Sequence, residues 1–577
     1  MVTKKHFYTS TILALSGAFF LFSAPLAFAD VPTRDTAGSQ DARFREKFEK
    51  AYAASKKEPS EPVIEEKAAE TPAPVKNDGT MKIPVKEVKF LGNYSIPDAE
   101  LRPFVQDLVG RDVTLDEIQD AVTKVKRHYR EKKYIATYAY VPPQEIEDGV
   151  VKIDIIEGRL GELRIEGNQY YSEDILRRQF ALRPGEVMTY DKLRRDLEHL
   201  KKLEDVMAKV SLQAGKDMGT ADAVVTIEDR SPVHASITAD NTGTKNTGLY
   251  HLGGSLRHNN VTGQADALSS TVQFSTGTNA AGIGYTRPVF DGLTTLGYSF
   301  TYGNVDIGGD FDPLGAEGVA TTHSLTASRP LWQGPSMSVE GTAGFDVKDV
   351  KNKLLGEKSG EDNLRIAWLS GLFTHSGEGT KTLLSPGLYF GIPGIIGGSD
   401  RVDAEATRAG TGGEFFAARG QGVHYRELGN DILLSLRSTV QLSPDSLPPS
   451  EQFRIGGART VRGYQESDTL TDYGGHLSTE FFFPMVLAPS DWLIPFSGET
   501  VRDSVQFITF VDVGAGSLHK PAEGEAKRRT LAGGGVGLRT HLYDKMYARL
   551  EWGFPFGDDP SDSRSSAYYF TVSYELL

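Results

Sequence analysis

The chain has 577 residues, no cysteine and a formal net charge of −14 at pH 7. The absence of cysteine excludes disulfides and thiolate metal sites, and the acidic balance argues against a nucleic-acid partner, which would need a basic surface. With 61 glycines and 23 tyrosines, the composition is typical of a secreted or outer-membrane β protein.

The first residues predict a signal peptide for export. Two lysines precede an apolar run over residues 12–26, and Ala-Phe-Ala at 27–29 supplies the small residues of a cleavage site. We expect cleavage after Ala29. A retained membrane anchor fits less well, because the run is short and contains Pro25. No later window approaches the ~20 apolar residues of a membrane helix, so a membrane location would require a closed barrel.

Residues 30–82 differ from the rest of the chain in composition and in hydrophobic pattern. The segment 41–54, "DARFREKFEKAYAA", places Phe44, Phe48 and Tyr52 on one helical face and predicts a short amphipathic helix. Transient structure in a disordered tail is the alternative. Residues 55–80 are rich in Glu, Lys, Ala and Pro and predict an extended linker.

The next segment contains an internal repeat. "FLGNYSIPDAEL" at 90–101 aligns with "IEGNQYYSEDIL" at 165–176. Each copy predicts a strand, a Gly-Asn turn, two helices and two further strands. Thr114 with Glu117 predicts a capping box, whereas Thr189 caps alone because Lys192 replaces the Glu. We therefore expect two small α+β modules, at 83–157 and 160–229.

From residue 232 to 577 the chain alternates apolar and polar residues without helical periodicity. In "DILLSLRSTVQL", 431–442, the aliphatic residues share one face and the polar residues share the other. Strand lengths of ~10 residues and aromatic residues at the ends of many stripes favour an antiparallel transmembrane barrel over a sandwich. The runs predict 16 strands, with 14 and 18 as alternatives. The strands are expected to start near residues 233, 248, 265, 279, 293, 320, 336, 361, 381, 411, 430, 473, 506, 530, 545 and 567.

Two motifs suggest a contact inside this barrel. The loop at 443–472, between the eleventh and twelfth strands, contains "TVRGY", and the thirteenth strand contains "FITFVDVGAG". Strand parity places the aspartate of the second motif on one face with its neighbours at i±2, so it is a natural partner for the loop arginine. From spacing alone, an exposed arginine beside an unrelated aspartate is an equally good alternative. The candidate residues are Val461, Arg462, Gly463 and Tyr464 in the loop, and Phe510, Asp512 and Gly514 in the strand.

The sequence offers no enzymatic motif. We find no Walker-type phosphate loop, no His-Glu-x-x-His helix and no Gly-x-Ser-x-Gly elbow, and the 12 histidines lack ligand spacing. We therefore expect no catalytic residue, no metal and no cofactor. An outer-membrane protease or lipase is the enzymatic alternative.

Two tandem modules followed by a barrel with "VRGY" in its long loop and "FVDVG" two strands later resemble the two-partner secretion transporters. These are the TpsB proteins of the ShlB/FhaC/HecB type, which export haemolysins and haemagglutinin-like adhesins and belong to the superfamily of POTRA-domain barrels. The resemblance implies that Arg462 folds into the lumen and meets Asp512, and that the helix at 41–54 is a plug. Two departures are the chain end "YYFTVSYELL", which lacks a terminal Phe, and the missing Pro before Gly215 in the second module.

The resemblance also implies location, partners and mechanism. The barrel would lie in the outer membrane, surrounded by lipid and inserted by the barrel assembly machinery, with the POTRA modules in the periplasm. A large secreted exoprotein, adhesin-like or haemolysin-like, would add to a strand edge of these modules and cross the barrel. The plug helix and loop 443–472 would gate the lumen, and no ATP step is expected. The alternative function is the insertion of other barrels into the outer membrane; a diffusion porin would need no modules.

Overall fold

The computed structural model describes residues 64–66 and 82–577, apart from 201, 202, 204, 291, 335, 495–497 and 544. The predicted cleavage site at Ala29 and the predicted helix at 41–54 lie outside the described residues. The described residues before Pro232 and those from Pro232 to Leu577 form two separate compact units. No helix among the described residues is long and apolar enough to cross a membrane, a finding that has no bearing on strands.

The first module is a small sheet covered by a helix. In the sheet, β3 and β5 flank β6, with β3 parallel to β6 and β5 antiparallel to it. The long helix α2 packs Ile118, Val122, Val125 and Tyr129 into the core, as its spacing predicts, and the Thr114–Glu117 capping box forms. The elements up to the end of this module are β1 (Ile64–Glu66), β2 (Lys82–Val85), β3 (Glu87–Leu91), α1 (Asp98–Leu101), β4 (Arg111–Thr114), α2 (Leu115–Glu131), β5 (Tyr138–Tyr140) and β6 (Val150–Ile156).

The second module repeats this plan and gains one strand. Its elements are β7 (Arg159–Glu166), α3 (Glu173–Arg178), α4 (Tyr190–Leu200), β8 (Val206–Ala214) and β9 (Thr220–Asp229). The sheet order is β1-β8-β9-β7, so β1, from the segment predicted to be an extended linker, pairs in parallel with β8. One edge of this sheet is therefore already occupied by the chain itself.

In both modules, a carboxylate near the end of a strand binds the segment after the Gly-Asn turn. The carboxylate of Glu157, just after β6, accepts hydrogen bonds from the Ser95 backbone N–H at 2.6 Å and the Tyr129 hydroxyl at 3.2 Å. In the second module Asp229 accepts from the backbone N–H groups of Tyr170 and Tyr171, at 2.7 and 2.9 Å. In each module, a carboxylate at the end of the last strand thus accepts backbone hydrogen bonds from residues that follow the Gly-Asn turn.

The second unit is a closed barrel of 16 antiparallel strands, as predicted. The last strand pairs with the first over Ser236–Asp240, which closes the sheet. The observed starts lie close to the predicted ones, and the largest differences, at Ala316, Glu357 and Phe415, are four residues. The strands are β10 (Val233–Asp240), β11 (His251–His258), β12 (Ala267–Phe274), β13 (Thr278–Val289), β14 (Thr294–Ile307), β15 (Ala316–Gln333), β16 (Met337–Leu354), β17 (Glu357–Gly377), β18 (Thr380–Gly391), β19 (Phe415–Glu427), β20 (Leu433–Leu442), β23 (Tyr473–Pro484), β24 (Val505–Ser517), β25 (Arg528–Leu542), β26 (Met546–Pro555) and β27 (Ala567–Glu575).

The barrel is apolar outside and largely polar inside. In β20 the side chains of Arg437, Thr439 and Gln441 are buried in the lumen, whereas Val440 and Leu442 are 43% and 58% exposed on the outer face. This inverts the arrangement of a soluble core and matches a wall that contacts lipid. Loop 443–472 joins β20 to β23 and contains a hairpin of β21 (Phe453–Ile455) and β22 (Thr469–Thr471). A short helix, α5 (Val501–Ser504), lies between β23 and β24.

Candidate functional site: a loop held inside the barrel

The tip of loop 443–472 lies buried against the barrel wall. The β21–β22 hairpin brings the two arms of the loop together, so residues 456–468 form its tip. Arg462 and Asp512, on β24, are both 0% exposed. The guanidinium binds the carboxylate through two parallel hydrogen bonds, Nε to Oδ2 and Nη2 to Oδ1, each 2.7 Å long. The backbone N–H of Arg462 also donates to Oδ2, at 3.1 Å. This bidentate geometry is the strong form of a charge-assisted pair.

Arg462 has further partners on the neighbouring strands. Its Nη1 donates to Glu480 on β23 at 2.6 Å and also to Glu551 on β26. The guanidinium carbon lies 3.4 Å from the centroid of the Phe510 ring, within the range of a cation–π contact. The register places Glu480 on β23 opposite Phe510 on β24, and Glu551 reaches the same guanidinium from β26, on the far side of β25.

Two more arginines complete a balanced ionic network. Nη2 of Arg549 donates to Glu480 at 2.7 Å and to Glu551 at 2.5 Å, and Nη2 of Arg437 donates to Glu480 at 3.3 Å. With Arg462 and Asp512, the network contains three cations and three anions, so its buried charges compensate one another. Sequence reasoning missed these four residues, because parity gives the face of each strand but not its register with the neighbouring strands.

The other motif residues shape the seat of the tip. Val461 packs with Phe453, Ile455, Tyr464 and Leu531 in a buried apolar cluster. Gly514, on β24, has room for this cluster only because it lacks a side chain: an added Cβ would lie 2.6 Å from Ile455 and 2.9 Å from Val461.

Gly463 and Tyr464 bind strands at the closing side of the barrel. Gly463 has a φ of +105°, and an added Cβ would lie 2.7 Å from the backbone nitrogen of Pro555 on β26. The Tyr464 hydroxyl donates to the Asp558 carbonyl at 2.9 Å. Tyr569 on β27 accepts from the Gly463 N–H at 3.0 Å and donates to the Tyr464 carbonyl at 2.6 Å. Tyr569 is therefore a second anchor, which no sequence motif indicated.

The arms of the loop are held as well. Glu451 accepts hydrogen bonds from Lys348 on β16 and Arg419 on β19, each 2.9 Å long. At the end of the barrel far from Pro232, Asp472 binds Arg408 of the loop between β18 and β19, at 2.5 Å. The loop is therefore fixed at its tip and along both arms.

The chemistry of this site is ionic and reversible. Among the residues that the structure describes, no group of His, Cys, Asp or Glu is arranged to hold a metal ion. Hydrogen-bonded ion pairs form and separate without covalent change, so the arrangement can hold a segment in one position and release it.

Sequence profiles of three families match the chain. The haemolysin secretion/activation protein family ShlB/FhaC/HecB matches residues 219–540. The ShlB-type POTRA domain matches residues 83–158, and the surface antigen variable number repeat matches 159–230.

Individual relatives agree with these profiles. The haem/haemopexin transporter protein HuxB of Haemophilus influenzae is 24% identical over 77% of this chain and 78% of its own length. The outer membrane transporter CdiB of Dickeya dadantii is 26% identical over 81% of this chain and 82% of its own. Among solved structures, CdiB from Escherichia coli has a TM-score of 0.69 at 20% identity and covers 95% of this chain and 100% of its own, which shows the shared fold.

The modules, the closed barrel and the matching family profile lead to one conclusion. The chain belongs to the ShlB/FhaC/HecB family of haemolysin secretion/activation proteins, the outer-membrane transporters of two-partner secretion, whose POTRA domains lie in the periplasm.

Proposed function

We propose that this protein binds one large unfolded exoprotein, adhesin-like or haemolysin-like, in the periplasm and exports it through its own barrel. In this proposal residues 83–157 and 160–229 are the POTRA domains, 232–577 is the pore, and 30–82 provides a plug helix and its tether. The protein acts as a transporter without enzymatic activity. Outer-membrane lipid surrounds the barrel, and the barrel assembly machinery inserts it.

The observation that carries the proposal is the position of loop 443–472. A connection from the far end of the barrel is folded back so that Arg462 is buried in a neutral ionic network at the lumen wall. A loop held by separable ion pairs suits an exporter, which must be closed at rest and open in transit. Arg462 and Asp512 then act as a latch with two states, and exoprotein binding favours the released state.

The second module offers a docking edge. An extended segment can add to a sheet through backbone hydrogen bonds, which gives affinity without a unique sequence. At β8 this edge is paired with β1, in the register Ile64 to Val210 through Glu66 to Leu212. Exoprotein binding at β8 therefore displaces β1, and since β1 belongs to the tether, docking is communicated to the segment before it.

Capture in cells tests the proposal. The tagged full chain and a variant lacking residues 83–229 are crosslinked in the periplasm, purified, and the bound proteins are identified by mass spectrometry. If the protein is an exporter, a single very large secreted protein should be captured on the full chain. That protein should not be captured on the deletion variant, and it should be absent from the culture medium of cells that carry the variant. Precursors of many outer-membrane barrels would instead indicate an assembly factor. If deletion changes neither secretion nor barrel content, both functions are wrong.

A further inference from the structure

One sector of the lumen wall departs from the polar pattern of a barrel interior. On β17, β18 and β19 the lumen-facing side chains form an almost fully buried apolar cluster. We call this cluster the lumenal patch, and its members are Leu364, Ile366, Trp368, Tyr389, Phe415 and Ala417. Other strands carry buried polar side chains, as with Ser269, Thr271 and Ser299. Apolar clusters also occur on β14–β15 and on β19–β20 with β23–β24, but those clusters contain no residue of loop 443–472.

The patch is ordered in two rows. In the register of the wall, Trp368 lies opposite Tyr389, and Tyr389 lies opposite Ala417. In the adjacent row, Ile366 and Phe415 flank Gly391. Positions two residues apart on a strand are separated by about 7 Å, which is also the spacing between alternate side chains of an extended chain.

Loop 443–472 supplies the cover. Leu447 is completely buried within this cluster. Its backbone is held by the Arg408–Asp472 ion pair: the Leu447 N–H donates to Asp472 at 2.9 Å and the Leu447 carbonyl accepts from Arg408 at 3.0 Å. When the loop leaves, Leu447 leaves with it, and the apolar rows would face lumen water. Exposed apolar surface is unfavourable in water, so a substitute ligand is favoured.

We propose that the lumenal patch binds the exoprotein in transit, taking extended segments with apolar side chains at alternate positions in place of Leu447. This inference rests on the proposed export function. The patch acts as a transient contact near the exit, where successive apolar side chains replace one another as the chain advances. The two rows lie about 7 Å apart along the strand direction, as alternate side chains of an extended chain do. The patch therefore recognises apolar side chains at that spacing rather than a unique sequence.

Site-specific photocrosslinking tests the inference in the full chain. A benzophenone amino acid replaces Tyr389 in the patch or, as a matched control, Asn352, a buried polar residue of β16. The probe is the exoprotein identified by the capture experiment, arrested in transit by a stably folded domain fused to its C-terminus. We expect an adduct at position 389 about tenfold stronger than at 352, since burying one or two extra methylenes changes binding by that order. The crosslinked segments should carry apolar residues at alternate positions.

A second variant distinguishes binding from simple proximity. Ile366→Thr keeps a β-branched side chain but replaces its ethyl group with a hydroxyl, and should weaken the adduct at 389 by about threefold or more. Barrel folding is checked by heat-dependent gel mobility. Equal adducts at 389 and 352, adducts to segments without apolar alternation, or an unchanged adduct in the Ile366→Thr variant would overturn the inference and leave export intact. No adduct at either position while export continues would also overturn it. Failure of both capture and export would refute the proposed function, and the inference with it.

Discussion

Arg462 is completely buried, and its guanidinium faces three carboxylates, those of Asp512, Glu480 and Glu551. Arg437 and Arg549 restore neutrality, so the network tolerates burial only as a complete set. Removal of either Arg462 or Asp512 leaves one unbalanced charge. The two residues should therefore matter equally, although one lies in the loop and the other in the wall.

Arg462→Ala and Asp512→Ala should impair secretion alike, and the double variant should be little worse than either single variant. Stranding a buried partner costs about 3–5 kcal/mol, enough to unseat the loop, so exoprotein binding can no longer switch the loop between two states. Arg462→Lys, which keeps the charge but loses the bidentate geometry, should fall between wild type and Arg462→Ala. The measurement is exoprotein secreted per folded barrel. Fully additive losses would mean that the two residues do not act together.

Gly463→Ala tests the close approach of the tip to β26. The new Cβ would meet the Pro555 nitrogen at 2.7 Å, so the tip should leave its seat and expose Arg462 to trypsin added to intact cells. With strain of about 1–3 kcal/mol, cleavage should be roughly tenfold faster. The matched control is Gly429→Ala, since Gly429 also has a positive φ, +90°, but open space around it. Equal cleavage of both variants would argue against a tightly fitted seat.

At the scale of elements, local sequence patterns predicted the features that depend on neighbouring residues but not those that depend on distant pairing. The capping box of α2, the strand starts and the 30 residues of loop 443–472 all follow from short-range periodicity and turn residues, and each is present in the structure. Strand β1 was missed, because three residues in a segment rich in Glu, Lys and Pro carry no strand signal and pair only through tertiary contact with β8. Tyr569 was missed for the same reason, since its partners lie far away in sequence.

Strand β27 should report on the loop through Tyr569. Tyr569→Phe removes the hydroxyl that binds both Gly463 and Tyr464, which should cost about 1–3 kcal/mol by leaving a buried donor and acceptor unpaired. We expect faster trypsin cleavage at the loop tip, with Tyr568→Phe, on the exposed face of the same strand, as the control. Equal cleavage rates in the two variants would show that Tyr569 does not help to hold the loop.

The tether strand should compete with the exoprotein. Glu65→Pro removes a backbone donor in the middle of β1 and should release it from β8, so the captured exoprotein should bind the full chain more tightly. Binding is measured by titration of purified full-length protein, with Glu65→Ala, which keeps the backbone donor at the same position, as the control. Weaker binding in Glu65→Pro would show that β1 assists docking rather than blocks it.

At the scale of the whole molecule, the order of modules and barrel was visible in the sequence, because the repeat and the period-two alternation extend over long stretches. The ionic network was not, since Arg437, Glu480, Arg549 and Glu551 meet only through the register of several strands. The lumenal patch was also hidden, because an apolar residue in a barrel strand is expected to face lipid. The proposed export function requires above all that loop 443–472 moves out of its seat.

A reversible lock on that loop is the most direct test. The chain has no cysteine, and Asp468 in the loop accepts a hydrogen bond from Ser561, between β26 and β27, at 2.7 Å. Asp468→Cys with Ser561→Cys places one thiol on each side of this contact, and formation of the disulfide between them is verified by gel mobility without reductant. The oxidised double variant should stop secreting, reductant should restore its secretion, and secretion by either single variant should not respond to oxidation or to reductant. Undiminished secretion with the disulfide intact would show that export does not require loop 443–472 to move.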